Sequence, residues 1–374
     1  MRVQGKEETD LKKNGQKAVK ANTKNKKREK LTYILTSILG VVVILLSVGY
    51  GIFHHYYNKL NTDGFSDDPN AYDLSDTDLS LSGSDLSALD QTLGQDLGGD
   101  LEFDEKNVTN IILLATDSRS RGNRRSRTDG MILVSINRKT KKIVMSSFMR
   151  DMYVAIPNKE DNHNRLNSAF AFGGPDLLFK TFDVNFGIKI SKYAHIDFFN
   201  FIDLVDAVGG VDIEVNEGEL GVMNNYYMPQ INDLLDEPRS TDIIPGKGGW
   251  LHLNGKQALA YTRVRYVGKG DFERTERQRQ VLTQIIQKAK KMSPSQLNKM
   301  ADVVLPMIST NLSQSEVMSL IVNAPEYLTY DLESIRIPIE GSYTYTKAGD
   351  ASVLGVNFKT NRQYWYDTVY SEDD

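Results

Sequence analysis

The sequence predicts an α/β fold: an α-β-α sandwich whose central mixed sheet is covered by helices on both faces, plus one N-terminal transmembrane helix. Three observations carry this reading. Residues 31–53, LTYILTSILGVVVILLSVGYGIF, run for 23 positions without a charge, about 35 Å of helix against a hydrocarbon core of roughly 30 Å. From residue 106 onward, β-rich apolar runs alternate with amphipathic helical stretches, the pattern of a sheet flanked by helices. Between them, residues 61–105 hold 13 acidic residues and no basic one, too polar to bury a core.

Taken in order, residues 1–30 form a basic tail with 11 Lys and Arg against 4 Asp and Glu. A Lys-rich run beside a span is an orientation signal, held by anionic lipid, which places the tail in the cytoplasm and the rest outside. Nucleic-acid binding by the tail is the weaker alternative. Residues 31–53 read as an uncleaved anchor rather than a signal peptide, whose apolar region would be shorter and would end in a small-residue cleavage site. Residues 54–105 read as an acidic extracellular spacer without fixed structure, with a helical stalk as the rival. Residues 106–374 form one large domain. The chain has no cysteine, which excludes disulfide-linked partners, thiol catalysis and cysteine metal sites.

Within the domain, strands are predicted at 108–115, 130–137 and 143–149, the second and third joined by a short polar turn and therefore neighbours. Helical stretches follow at 166–172 and 176–186, a strand at 192–196, and the helix FFNFIDLVDAV stopped by Gly209 and Gly210. VDIEV at 211–215 returns as strand. A long loop is expected over 218–250, then a helix from about Asn254 and a strongly periodic one from Asp271 to about Lys291.

Chemistry gathers in three places. The first is TDSRSRGNRRSRTDG, which puts Asp117 at one strand's end and Asp129 at the next strand's start, with Arg119, Arg121, Arg124, Arg125 and Arg127 between. Two carboxylates at one sheet edge suit Mg²⁺, and guanidinium forks suit phosphate; a solvated basic loop is the alternative. The second is DFERTERQRQVLTQIIQKAKK, whose apolar stripe, followed backwards in steps of three and four, passes through Gln278, Arg277 and Arg274. Charge on the inward face means a ligand or a buried pair with a local acid. Just upstream, Arg263 and Arg265 would share a face if AYTRVRY were extended. The third is MRDMYVAIP with HNRLNSAFAFGG, where Arg150 and Asp151 end a strand and Arg165 and Asn167 open a helix whose N-terminus could hold an anion. The five histidines show no zinc spacing, and His195 reads as a packed strand residue.

Seven blocks in one order, NIILLATDSR, RTDGMILVSIN, MRDMYVAIP, RLNSAFAFGG, FIDLVDAVGGVDIEV, LNGKQALAYTRVR and GDFERTERQRQ, resemble the LytR-CpsA-Psr proteins of Gram-positive bacteria. The resemblance covers residues 110 to about 290. It implies a phosphotransferase that moves a glycopolymer, such as teichoic acid, capsule or a related wall polysaccharide, from polyprenyl pyrophosphate to peptidoglycan. It implies Mg²⁺ (or Mn²⁺) on Asp117 and Asp129. Arg127, Arg150, Arg263, Arg265 and Arg274 would act on the pyrophosphate, with Arg119, Arg165, Asn167, Arg277 and Gln278 binding it. A hydrophobic tunnel between sheet and helices would take the prenyl chain. Two departures stand out: Met149 where a proline is usual before Arg-Asp, and Ala115 where a glycine is common. The competing classes are a non-catalytic receptor for anionic polymer and a polyprenyl-pyrophosphate pyrophosphatase; the expected partners are lipid-linked polymer, peptidoglycan and membrane lipid, not nucleic acid.

Overall fold

The computed structural model describes residues 57–62, 101–116, 126–157, 163–268, 270–327, 329–349 and 351–371. The expected span at 31–53 lies outside them, and among the described residues no helix is long and apolar enough to cross a membrane.

Strands β1 (Val108–Thr116), β2 (Thr128–Asn137) and β3 (Lys142–Phe148) form an antiparallel meander whose tight 138–141 turn makes β2 and β3 neighbours, as expected. β4 (Tyr153–Ala155) and β5 (His163–Arg165) form a small hairpin beyond it. The crossover through α1 (Leu166–Phe186) returns the chain to β6 (Lys192–Asp197), parallel to β1. The 21-residue α1 joins two stretches that the sequence separates at Gly173-Gly174-Pro175. Gly174, at φ 61° and ψ −157°, takes a conformation open to glycine, so the two halves share one axis only across a kink.

Then come α2 (Phe198–Ala207), capped by Asp197 accepting from the Asn200 N–H, and β7 (Val211–Val215). The first half of the loop expected over 218–250 is helical, as α3 (Glu217–Val222), a π-helical turn at Met223–Tyr227, and α4 (Met228–Leu234), while 235–248 is loop as expected. Asn216 and Glu219 start it with a reciprocal capping box. Leu220, Met223, Tyr227, Met228 and Ile231 are buried along it. Gly221, the Asn224-Asn225 pair and Pro229 disguise this run as loop, yet Pro229 falls just where the π-helical turn passes into α4, the place where the helical hydrogen-bond pattern changes. β8 (Gly249–Leu253) pairs with β7 before α5 (Gly255–Arg263) and α6 (Asp271–Lys290).

Residues beyond α6 complete the sheet. α7 (Pro294–Val304) leads to β9 (Ser309–Thr310), α8 (Gln314–Val322) and α9 (Ala324–Tyr327) to β10 (Asp331–Ile337), and the hairpin of β11 (Tyr343–Ala348) and β12 (Ala351–Val356) to α10 (Phe358–Tyr370). The six-stranded order is β10-β3-β2-β1-β6-β9, a mixed sheet. Period-two alternation sends Ile112, Leu114, Leu133, Val144 and Phe148 into a core with α1 and α10, where Phe148 meets the Phe182 and Phe186 rings edge-on at 4.7 and 5.3 Å. Ile136 and Ile143 go to the opposite face, against Tyr327 and Tyr330. A second core gathers α2, β7, β8 and the helices from α3 to α7. Each fully buried large side chain in these cores stabilises by roughly 1.5–3 kcal/mol.

Both ends of the acidic segment are fastened to the domain. Asn61 lies beside Ser309, with its N–H on the Ile308 carbonyl (3.1 Å) and its carbonyl accepting from the Thr310 N–H (3.1 Å). Tyr57 donates to the Leu312 carbonyl, and Lys59 pairs with Asp302 at 2.6 Å. At the other end, Phe103 packs edge-on against Tyr366 and Tyr370 of α10, and Tyr366 donates to the Glu102 carbonyl (2.8 Å).

Candidate active site

The β1–β2 register slips where Ala115 pairs with Gly130 and Thr116 with Thr128, leaving Asp129 as the extra residue of a bulge. Such a bulge bends the strand and re-aims the side chain. It also explains the alanine at 115. A Cβ on Gly130 would lie 3.2 Å from the Ala115 Cβ, so the missing side chain at 130 makes room for the one at 115. Gln278 stands over the same glycine, its Oε1 3.8 Å from that Cβ position.

Asp129 receives a charge-assisted hydrogen bond from Arg150 Nη1 at 2.5 Å, and Arg274 Nη1 stands 3.7 Å from its second oxygen. Burial pushes the Asp129 pKa up, but the charges of Arg150 and Arg274, the Arg150 hydrogen bond and the charge of Arg263 outweigh it, holding the carboxyl below its usual value. A depressed folded-state pKa means stability fully present above the unfolded value near 3.8 and lost as the pH falls through the folded value. In chelator, Asp129→Asn should therefore be less stable than the parent at neutral pH and converge on it below about pH 4. The urea midpoint as a function of pH measures this.

Met149, buried behind Arg150, donates its N–H to the Ile337 carbonyl at 2.8 Å, a bond that a proline there could not make. Arg150 also reaches Asp151 (Nε to Oδ1, 3.5 Å), and Arg165 approaches the same carboxylate at 3.6 Å. Arg165 Nη2 donates to the Ser352 carbonyl at 2.9 Å, tying the β11–β12 hairpin to the site. Arg165 is the N-cap of α1, but that helix end is not an open anion seat. The Leu166 N–H goes to the Met152 carbonyl (2.8 Å) and the Asn167 N–H to the Arg150 carbonyl (3.2 Å). Asn167 is buried, and its backbone N–H ties the start of α1 to the Arg150 carbonyl.

Arg263 and Arg265 do not share an extended strand. Arg263 ends α5, its guanidinium over the rings of Phe198 (5.0 Å) and Tyr227 (5.4 Å), and Val264 caps the helix. Arg265 follows in the next loop and faces an open cavity of about 360 Å³, shared with Arg150, Asp151, Arg165, Phe272 and Tyr345. Behind Arg150, the gap between the sheet and α6 at Asp129, Arg274 and Gln278 is about 10 Å³, room for a single water. The tunnel implied for a prenyl chain is not open at that point.

Arg277 is directed elsewhere. Its Nε donates to Glu219 at 2.7 Å, Nη1 to the Val264 carbonyl at 2.9 Å, and Nη2 to Glu273 at 2.9 Å. It is 3 % exposed. The geometry is that of the buried pair with a local acid, and it fastens the loop that carries Arg265. His195 is a packed strand residue, bonded to Thr116 Oγ1 (2.8 Å) and stacked on Phe170. Arg127 is partly buried at the entry to β2. Asp117 and Arg119, with Arg121, Arg124 and Arg125, lie outside the described residues.

The structure thus brings Asp129, Arg150, Arg263, Arg274 and Gln278 together, with Arg165 and Arg265 around the adjoining cavity. Sequence reasoning missed Phe272, Tyr345 and Ser352, and Tyr227 under Arg263. The chain as a whole is similar to known proteins. A relative from Staphylococcus aureus strain COL, Regulatory protein MsrR, is 31% identical over 256 residues, covering 68% of this chain and 72% of that one. Polyisoprenyl-teichoic acid--peptidoglycan teichoic acid transferase TagU of Bacillus cereus is 32% identical over 246 residues, covering 65% and 72%. Among solved structures, TagT bound to LI-WTA is similar with a TM-score of 0.52 at 26% identity, covering 73% of this chain and 94% of that one. Protein gbs0355 from Streptococcus agalactiae reaches 0.56 at 25%, covering 72% and 88%. The model of the LytR_cpsA_psr family matches residues 77–366, and the chain belongs to that family.

Proposed function

We propose that this chain is a phosphotransferase that moves a glycopolymer from polyprenyl pyrophosphate to peptidoglycan as a phosphodiester, from the outer face of the cell membrane. The observation that carries this reading is the partly buried Asp129 carboxylate held ionised by Arg150 and Arg274 beside an arginine-lined cavity. The family's TagU, named as a teichoic acid transferase, and TagT, solved with LI-WTA, support it.

The donor set fits Mg²⁺ or Mn²⁺. Asp129 offers an ionised hard-oxygen ligand, and Asp117 follows directly in sequence on Thr116, the residue paired with Thr128. A divalent ion on Asp117 and Asp129 would neutralise phosphate oxygens during transfer. Arg150, Arg263 and Arg274 stabilise the charge that moves onto the leaving phosphate, and Arg165 and Arg265 orient the pyrophosphate from the cavity. A peptidoglycan hydroxyl oxygen forms a bond to the phosphorus carrying the polymer. The bond from that phosphorus to the bridging oxygen breaks, and polyprenyl phosphate departs with the electron pair. Asp151, facing the cavity, is the carboxylate placed to take the hydroxyl proton.

The test uses the purified full chain in detergent, a sugar-bearing polyprenyl pyrophosphate, and glycan strands present or absent. Transfer that needs Mg²⁺ and the acceptor is expected. Hydrolysis alone would make the chain a pyrophosphatase, and binding without turnover a receptor; either overturns the proposal.

A further inference from the structure

A transferase of this kind needs a place for two reactants, and the site has two compartments divided by Arg150. On one side Asp129, Arg274 and Gln278 close on a gap of about 10 Å³. On the other, the 360 Å³ cavity has one basic wall, Arg165 and Arg265 with Asp151, and one wall of different chemistry, formed by Phe272 and the β11–β12 hairpin. That second wall is a row of rings. Arg336 lies 4.2 Å over Phe272, Phe272 meets Tyr343 at 5.3 Å and 33°, and Tyr343 meets Tyr345 edge-on at 5.9 Å and 84°. The row fixes the last ring. Tyr345 is nonetheless 68 % exposed, at the cavity mouth.

An exposed ring beside a carboxylate is the chemistry that recognises a pyranose. The ring's electron-rich face takes the sugar's polarised C–H face, and the carboxylate accepts from its hydroxyls. The basic wall suits phosphate through charge, whereas the faces of the aromatic wall offer a neutral stacking surface. Resting on the transfer reading above, we infer that the hairpin wall is the subsite for the acceptor glycan, with Tyr345 stacking on a sugar ring of peptidoglycan and Asp151 accepting from its hydroxyl. Arg165, bonded to the Ser352 carbonyl and close to Asp151, holds the two halves of this subsite in register. Its hairpin residues, Tyr345 among them, lie beyond α6 and outside the seven blocks that carry the family resemblance, whereas Phe272, Asp151 and Arg165 lie within them.

Steady-state transfer with soluble, uncrosslinked peptidoglycan glycan strands tests this in the full chain, comparing Tyr345→Ala and Tyr345→Trp with the parent. Tyr345→Ala should raise the KM for glycan about threefold to tenfold. Affinity for the sugar-bearing polyprenyl pyrophosphate, measured without acceptor, should stay unchanged, and Tyr345→Trp should restore the KM. An unchanged glycan KM in Tyr345→Ala overturns the subsite. A parallel loss of donor affinity also overturns it, since the ring would then serve the donor or the hairpin's packing. A parent enzyme that transfers to no glycan strand overturns the transfer reading itself, and is recognised before any variant is made.

Discussion

Arg274→Ala should lower polymer transfer by about 10²–10³-fold while the domain keeps its fold, the loss typical when one preorganised donor to developing charge is removed. Arg274 is 4 % exposed and stands 3.7 Å from Asp129. Losing it leaves Asp129 paired with Arg150 at 2.5 Å, so no buried charge is stranded. The deficit should fall on kcat more than on donor affinity, because Arg150, Arg165 and Arg265 still hold the ground-state pyrophosphate. Transfer kinetics beside a urea titration check both halves. Parent-like kcat in a folded variant would remove Arg274 from the chemistry.

Arg277→Ala, one turn along the same helix, should do the reverse in origin: a loss of about 3–5 kcal/mol of stability. Glu219, itself buried, would lose its partner, and the carbonyl of Val264 would lose its donor. Activity would fall with it, because the loop bearing Arg265 would be unfastened. Pairing Arg277→Met with Glu219→Gln removes both charges and should recover much of the stability, since the penalty lies in the stranded acid rather than in the missing attraction. Urea denaturation of the single and double variants measures it. A single variant as stable as the parent would show that the pair holds nothing together.

These two residues show what could be read from the sequence and what could not. The inward charge on the α6 stripe singled out Arg274 and Arg277 together, because helical period reports which face a residue occupies. What separates them is the partner each meets, and Glu219 lies 58 positions before Arg277. β1, β2 and β3 were legible because apolar runs with short polar turns leave few alternatives, and the observed strands fall within two residues of the expected ones. The 217–234 helices were not, since Gly221 and Pro229 are loop residues in most settings and the π-helical turn breaks the 3.6 period. The Asp129 bulge has no sequence signature beyond a glycine beside an aspartate. The tyrosine wall was hidden because its residues lie some 180 to 200 positions from Arg150 and Arg165, and an exposed tyrosine carries no mark of what it faces.

The fastening of residues 57–62 along β9 changes the mechanics of the whole chain. If residues 31–53 span the bilayer as read, Phe53 is four residues from Tyr57, a leash of at most about 14 Å. The acidic stretch leaves the domain after Thr62 and rejoins it at Phe103, so its length adds nothing to that leash. On that reading the domain would stand at the lipid headgroups with its β9 edge toward them, and a wall-glycan acceptor would have to come down to it.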